Sequence, residues 1–215
     1  MKDKLSTTKE VQVKDMRNYY KFQAKIYDAT RWTFLYGRNT VLKKIPIDRN
    51  KAIKVLEVGC GTGVNIAAMA KLYPNAQFIG LDVSGDMLDR AAQNLRQYKD
   101  RVELVEKPYE QGSEYNGMFD VILFSYSLTM INPQWIELVD QTPLDLKEDG
   151  LIVVADFHNA NFNFYRKFMR SNHVKLDGHI FPVLLEKFDA KYAKIKKGFA
   201  GVWEYMMFIG SKKKK

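Results

Sequence analysis

One cysteine, Cys60, is all that the 215 residues contain, so no disulfide can close within the chain and a disulfide-stapled secreted scaffold is excluded. No apolar run approaches the roughly 20 residues needed to span a bilayer. The opening MKDKLSTTKE lacks the apolar core of a secretory signal. These absences predict a cytoplasmic protein. Neither proline nor glycine occurs before Gly37, which leaves the first segment able to run as one or two helices. Acids are outnumbered, 25 against 34 Lys and Arg, for a formal charge of +9. That balance suits a polyanionic partner, nucleic acid or an anionic membrane surface. Four of the charges, however, sit in the run Lys212 to Lys215, for which a solvated tail is the favoured account. No RNA-binding appendage or interspersed basic stripe is present, so no nucleic-acid partner is expected.

What is present is a 46% hydrophobic chain, enough for one domain with a sizeable core. Its organising stretch is Ile53 to Gly63, IKVLEVGCGTG. Ile53, Val55, Leu56 and Val58 form the compact run of a strand covered on both faces. Gly59, Gly61 and Gly63 follow at alternate positions, and Val64 to Leu72 reads as a helix. Strand, glycine turn and helix start make a nucleotide cradle, because glycine lets a ligand approach closely and the helix start offers unpaired N–H groups. Pro46 and Asp48 to Lys51 link into this strand. Before it lies an aromatic and basic segment with Tyr19, Tyr27, Trp32 and Tyr36 among Arg31 and Arg38. It can pack onto the core, roof a pocket or sit in a membrane interface; a roof is expected, with interface contact as a secondary role.

After the cradle, Gln77 to Asp82 reads as a second strand ending in an acid, placed to accept both hydroxyl hydrogens of a ribose. Ser84 is the expected N-cap of a helix running to about Tyr98. Val102 to Val105 and Phe119 to Phe124 are further strands, and Ser125 to Asn132 leaves the fourth at its carboxyl end, where open parallel sheets bind ligands. A helix over Trp135 to Leu146, a break at Gly150 and a fifth strand, Leu151 to Asp156, follow. Asn161 to Lys187 reads as an irregular insertion, helical near Tyr165 to Met169. Ala190 to Lys196 and Val202 to Ile209 then form a hairpin with Met206 and Met207 on an edge strand. His158 follows the fifth strand as a candidate base, although a lone histidine there more often packs. His173 and His179 lack a third ligand at metal spacing, and no metal is expected.

The turn reads Glu57-x-Gly59-x-Gly61-x-Gly63, without the G-x-G-x-x-G step of a pyrophosphate site and with an acid that a pyrophosphate would meet. Both features disfavour a dinucleotide. LEVGCGTG, then LDVS, then FDVILF resembles the class I S-adenosylmethionine-dependent methyltransferases over roughly Lys51 to Phe157. The resemblance implies a single Rossmann-like α/β domain over 51–215, with a mostly parallel seven-stranded sheet and an antiparallel C-terminal hairpin, preceded by an N-terminal helical lid over 1–50. It also implies S-adenosyl-L-methionine as cofactor, with Gly59, Gly61 and Gly63 along the methionine moiety, Asp82 on the ribose, and Val83 and Met87 near the adenine. Glu57, Cys60 and Ser125 complete that candidate set. Where the family commonly has an Asp-Ala-like pair after the third strand, this chain has Lys107-Pro108-Tyr109, and Tyr109 is the candidate replacement for the adenine contact.

A narrower resemblance rests on YYKFQAKIYDATRWTFLYGRNTVL, SYSLTMINPQW, the DF after the fifth strand and EYMMFIGSKK. These stretches are similar to the bacterial betaine-lipid (diacylglyceryl-homoserine) and phospholipid N-methyltransferase group. The implied acceptor is a lipid headgroup amine methylated at the inner membrane face, with peripheral contact through the basic tail. Tyr19, Tyr27, Arg31, Tyr36 and Arg38 then belong to the lid, with Tyr126, Ser127 and Met130 beside the transferred methyl; Tyr19, Tyr27, Arg31 and Tyr126 are the candidate catalytic set. A small soluble or quinone-like acceptor fits the core motifs equally well.

Overall fold

The structure, a computed structural model, describes residues 35–162, 166–167, 169 and 174–213. Tyr19, Tyr27, Arg31 and most of the aromatic N-terminal segment therefore lie outside the described residues. Seven strands form one sheet: β1 (Lys54–Val58), β2 (Gln77–Asp82), β3 (Val102–Glu106), β4 (Phe119–Ser125), β5 (Leu146–Ala160), β6 (Phe188–Gly198) and β7 (Trp203–Lys212). Their order is β3-β2-β1-β4-β5-β7-β6. β1 to β5 pair in parallel, and β7 runs antiparallel to both β5 and β6. This is the expected mostly parallel seven-stranded sheet with its C-terminal hairpin. Five α-helices among the described residues surround it: α1 (Arg38–Lys44), α2 (Val64–Leu72), α3 (Gly85–Asn94), α4 (Trp135–Asp145) and α5 (Ile180–Lys187).

The strands read as unbroken apolar runs because both faces are covered. Val55, Leu123, Val153 and Met207 point to one face, where Val41 and Leu42 of α1 and Ile66 and Met69 of α2 meet them. Leu56, Phe124, Val154 and Met206 alternate onto the other, against Leu138 of α4 and Leu184 of α5. Each face therefore removes a full set of large apolar side chains from water, which is the dominant driving force here.

Four local expectations are corrected. Met206 and Met207 belong to β7, which is flanked on both sides, whereas β6 is the edge strand. Gly150 does not end an element but lies inside β5, in an irregular stretch where β4 pairs Phe119 with Leu146 and then Val121 with Leu151. A Cβ there would come within 2.9 Å of the Phe119 carbonyl oxygen, so only glycine fits this close approach. The segment up to Lys187 is not irregular throughout, since α5 buries Ile180 and Leu184. Finally, α3 stops at Asn94 rather than near Tyr98. Asn94 donates from Nδ2 to the Thr62 carbonyl at 3.0 Å, and Leu95 packs where a Gly63 Cβ would stand 2.5 Å from its Cδ1. Tertiary contacts with the glycine turn thus end a helix that the apolar period alone would extend.

A 3-10 helix, Arg96–Arg101, follows, and Arg101 reaches across to the far end of α2. Its guanidinium donates to the carbonyls of Ala70, Tyr73 and Ala76 at 3.3, 3.2 and 3.0 Å. Ala70 and Tyr73 lie at the helix end, where carbonyls lack intrahelical partners, and Ala76 sits just ahead of β2. Arg101→Ala is expected to lower stability by about 1–3 kcal/mol in urea unfolding, with Lys restoring less than half, because a point charge cannot fork across three carbonyls. A loss below about 0.5 kcal/mol would show that water replaces the guanidinium at no cost.

Candidate functional site

The carboxyl ends of β1, β2, β4 and β5 converge on the glycine turn. Gly59, Gly61 and Gly63 all have positive φ, 72°, 53° and 75°, so the turn is closed to L side chains. The N–H groups of Gly59 and Cys60 donate to the Leu81 carbonyl at 2.8 and 2.9 Å, which fastens the turn to the end of β2. Gly63 caps α2 with no side-chain acceptor, leaving the helix start facing the turn.

Asp82, at the end of β2, is buried and holds this geometry. Its Oδ2 accepts from the Gly61 N–H at 2.8 Å and its Oδ1 from the Ser84 N–H at 3.0 Å. One carboxylate therefore spans the glycine turn and the start of α3. Ser84 caps α3 by accepting from the Met87 N–H at 3.4 Å, as its position suggested. Val83 is half-buried and Met87 buried beside it. Glu57, in β1 below the turn, accepts at Oε1 from Asn65 Nδ2 at 2.7 Å, with both residues buried. Asn65 is a member of the site that the sequence reading missed; its signal is a polar residue on the inward side of the first turn of α2. Cys60 is buried, its Sγ 2.9 Å from where a Gly80 Cβ would stand, and fills space between the turn and β2.

The segment after β4 closes the other side. Ser127 abuts the glycine turn: a Cβ on Gly59 would lie 3.0 Å from Ser127 Cβ. The Ser125 and Ser127 hydroxyls are buried and make no hydrogen bond among the described residues. Two buried hydroxyls, three glycines with positive φ and an anchored carboxylate fit a nucleoside with polar substituents, the chemistry of S-adenosylmethionine. Tyr126 takes the left-handed conformation, φ 56°, unusual for a bulky residue and common at functional positions. Its hydroxyl donates to the Tyr36 carbonyl at 2.7 Å and its ring stands edge-on to Phe157 at 4.7 Å. Tyr36, half a turn ahead of α1, stacks on Tyr205 at 5.8 Å. Tyr126 therefore joins the last described part of the N-terminal segment to the site.

Asp156 fixes the same segment from β5. It is fully buried, and Oδ1 accepts from Thr129 Oγ1 at 2.5 Å and from the Phe157 N–H at 2.8 Å, while Oδ2 accepts from the Thr129 N–H at 3.2 Å. Burial pushes its carboxyl up to about 6, with the Thr129 and backbone bonds opposing that rise. His158 lies nearby, beneath Gly178 and edge-on to Phe181 at 5.7 Å. Burial holds its imidazole below the ordinary histidine value, opposed by the Glu204 charge, so it is neutral at pH 7.

Tyr109 sits elsewhere than at an open adenine platform. It is buried with its ring edge-on to Phe124 at 6.2 Å and its hydroxyl donating to Asp145 at 2.7 Å. Burial and the neighbouring carboxylate raise its pKa. Gln141 and Ser113 share Asp145, which staples the loop after β3 onto α4.

Comparison with known proteins agrees with this fold. Residues 55–150 match the model of a family described as a methyltransferase domain. A malonyl-[acyl-carrier protein] O-methyltransferase of Acetivibrio thermocellus is 24% identical over 154 residues, 70% of this chain and 52% of that protein. A trans-aconitate 2-methyltransferase of Deinococcus radiodurans is 35% identical over 103 residues, 47% of this chain and 36% of that protein. The chain spans about half the length of the first of these relatives. Among solved structures, the N-methyltransferase NodS of Bradyrhizobium japonicum with S-adenosyl-L-homocysteine superposes with TM-score 0.65 at 19% identity, covering 82% of this chain and 86% of that one. A SAM-dependent methyltransferase of Aquifex aeolicus gives TM-score 0.65 at 15% identity, covering 86% and 95%.

Proposed function

We propose, for a chain that carries a class I S-adenosylmethionine-dependent methyltransferase domain, that it transfers methyl groups to the amine of a lipid headgroup at a membrane surface. The observation that carries the methyl-donor half is the glycine turn bridged by Asp82 to Ser84. S-adenosylmethionine supplies a methyl carbon on a sulfonium, and no nucleophilic side chain of the protein is required. In this reading Asp82 takes the ribose hydroxyls, Gly59, Gly61 and Gly63 flank the methionine moiety, and Val83 and Met87 border the adenine. Glu57, held by Asn65, faces the cationic end, where a carboxylate is favourable. Ser125 and Ser127 offer the donor their buried hydroxyls.

The chain's remaining task is to align the acceptor and exclude water. Tyr126 is fixed at the mouth by its bond to Tyr36, and its ring face suits the ammonium that develops on a methylated amine. In this reading the segment ahead of α1, with Tyr19, Tyr27 and Arg31, serves as the lid, while α1 itself buries Val41 and Leu42 against the sheet and belongs to the core; Arg31 meets a headgroup carboxylate or phosphate. The support for the lipid acceptor is the aromatic and basic character of that segment and the motif resemblance of its sequence. The relatives favour a second reading, a small soluble or carrier-borne acceptor, since their names specify malonyl-[acyl-carrier protein] and trans-aconitate.

Incubation with methyl-labelled S-adenosylmethionine and a total lipid extract separates the two. Label in the organic phase, lost in Tyr126→Ala and in Arg31→Ala, is the expected result. Label confined to aqueous products would overturn the lipid reading in favour of the second.

A further inference from the structure

The proposed lipid acceptor requires a surface that meets the bilayer, and the direction of β7 determines which end of the molecule can provide it. β7 starts at Trp203, opposite Ala160 at the carboxyl end of β5, and reaches Ser211 opposite Leu151 at the other end. Ten residues at about 3.3 Å each separate its ends by roughly 30 Å. The basic tail therefore leaves from the rim opposite the glycine turn. The β6–β7 connection, residues 199–202, stands on the turn's own side, five positions of β5 beyond the level at which β4 ends at Ser125.

That tip has the composition of an interfacial anchor. Phe199 is 58% exposed although one ring face stacks on Trp203 at 5.4 Å. Phe162, in the loop after β5, is 52% exposed. The two loops are joined: Asn161 donates from its backbone to the Val202 carbonyl at 3.2 Å and from Nδ2 to the Gly201 carbonyl at 2.7 Å. Both phenylalanines thus project from one bonded unit. Phe199 and Ala200 hold positive φ, 44° and 52°, a local backbone cost that keeps the Phe199 ring at the surface of the tip. Around them Lys196, Lys197, Arg166 and Lys167 are exposed; Arg166 also ties the loop by donating to the Ala160 carbonyl and Asn159 Oδ1, Glu204 faces Lys197, and Asp177, bridged to Asn159, pairs with Lys175. Edge-strand lysines alone can serve to block pairing between sheets, but that role does not account for two exposed aromatic rings on joined loops.

We propose that this tip, Phe162 and Phe199 within a basic collar, is a docking surface for an anionic lipid bilayer. It rests on the lipid-acceptor reading and adds the orientation: rings enter the headgroup region, cations meet anionic lipid, and the glycine-turn rim faces the membrane. The tail, on the far rim, adds only diffuse attraction.

Co-sedimentation of the full chain with equimolar phosphatidylcholine and phosphatidylglycerol vesicles tests it. Phe199→Ser and Phe162→Ser are each expected to lower the partition coefficient roughly tenfold, and Lys196→Glu with Lys197→Glu to lower it while flattening its salt dependence. Replacing Lys213 to Lys215 by Gln is expected to change it less than about threefold. A double Phe variant that sediments like the parent, a parent that leaves the vesicles unbound, or a tail variant that alone abolishes binding overturns the proposal. Label transfer to lipid dispersed in detergent micelles distinguishes this from failure of the acceptor reading, because the double Phe variant keeps that activity when only docking is lost.

Discussion

Asp82→Ala is expected to weaken S-adenosylmethionine binding by about 100-fold, near 3 kcal/mol, measured by calorimetric titration. Two losses combine. On the proposed reading the ribose loses a charged acceptor, and the Gly61 and Ser84 N–H groups, both on Asp82 now, lose theirs. A buried N–H left without a partner costs about 1–3 kcal/mol, so the turn opens or rearranges before ligand arrives. Asp82→Asn preserves the shape but keeps one oxygen, turning its amide N–H₂ toward one of those two donors, and should recover little of the loss. A variant of either kind that binds within threefold of the parent would show that the carboxylate is only a structural tie.

Asp156 yields the second large effect, and its signature is pH. Burial raises its pKa from 3.8 to about 6. Between those values the folded chain holds a proton that the unfolded chain has released, so stability is greatest at low pH and falls as pH rises through 6. The full span is roughly 3 kcal/mol, of which about 1 kcal/mol is lost between pH 5 and 7. Asp156→Asn removes that slope. It also sets an amide N–H₂ against the donors of Thr129 or Phe157, costing on the order of 1–3 kcal/mol at pH 7 and loosening the segment that carries Tyr126 and Ser127. Urea unfolding of the two proteins should therefore diverge as the pH is lowered from 7 to 5. Curves that converge instead would mean that hydrogen bonding, not burial, governs this carboxyl.

Much of this was readable from sequence because two-sided burial and glycine geometry leave local marks. The run KVLEV, the alternating glycines and the acid ending QFIGLD each report a backbone requirement that few other residues satisfy. Ser84 at the start of α3 is legible for the same reason. What was hidden depends on contacts distant in sequence. The end of α3 is set by Asn94 on Thr62 and Leu95 against Gly63, and no feature of residues 85–98 announces it. The bonds from Thr129 to Asp156, 27 positions apart, and from Tyr126 to Tyr36, 90 apart, are likewise invisible in periodicity. Tyr109 offered an aromatic ring at a plausible position, yet Asp145, 36 residues on, draws its hydroxyl into the core. α5 was missed because its eight residues include Pro182 and follow Gly178, both of which mark a break to local reading.

The central claim, that the turn bridged by Asp82 is an S-adenosylmethionine site, is tested most directly by calorimetric titration of the full chain with S-adenosylhomocysteine and, in parallel, NAD⁺. Saturable one-to-one binding of the homocysteine, weakened about 100-fold in Asp82→Ala and absent for NAD⁺, is the expected result. Heat with NAD⁺ alone, or S-adenosylhomocysteine binding that survives loss of Asp82 intact, would contradict it.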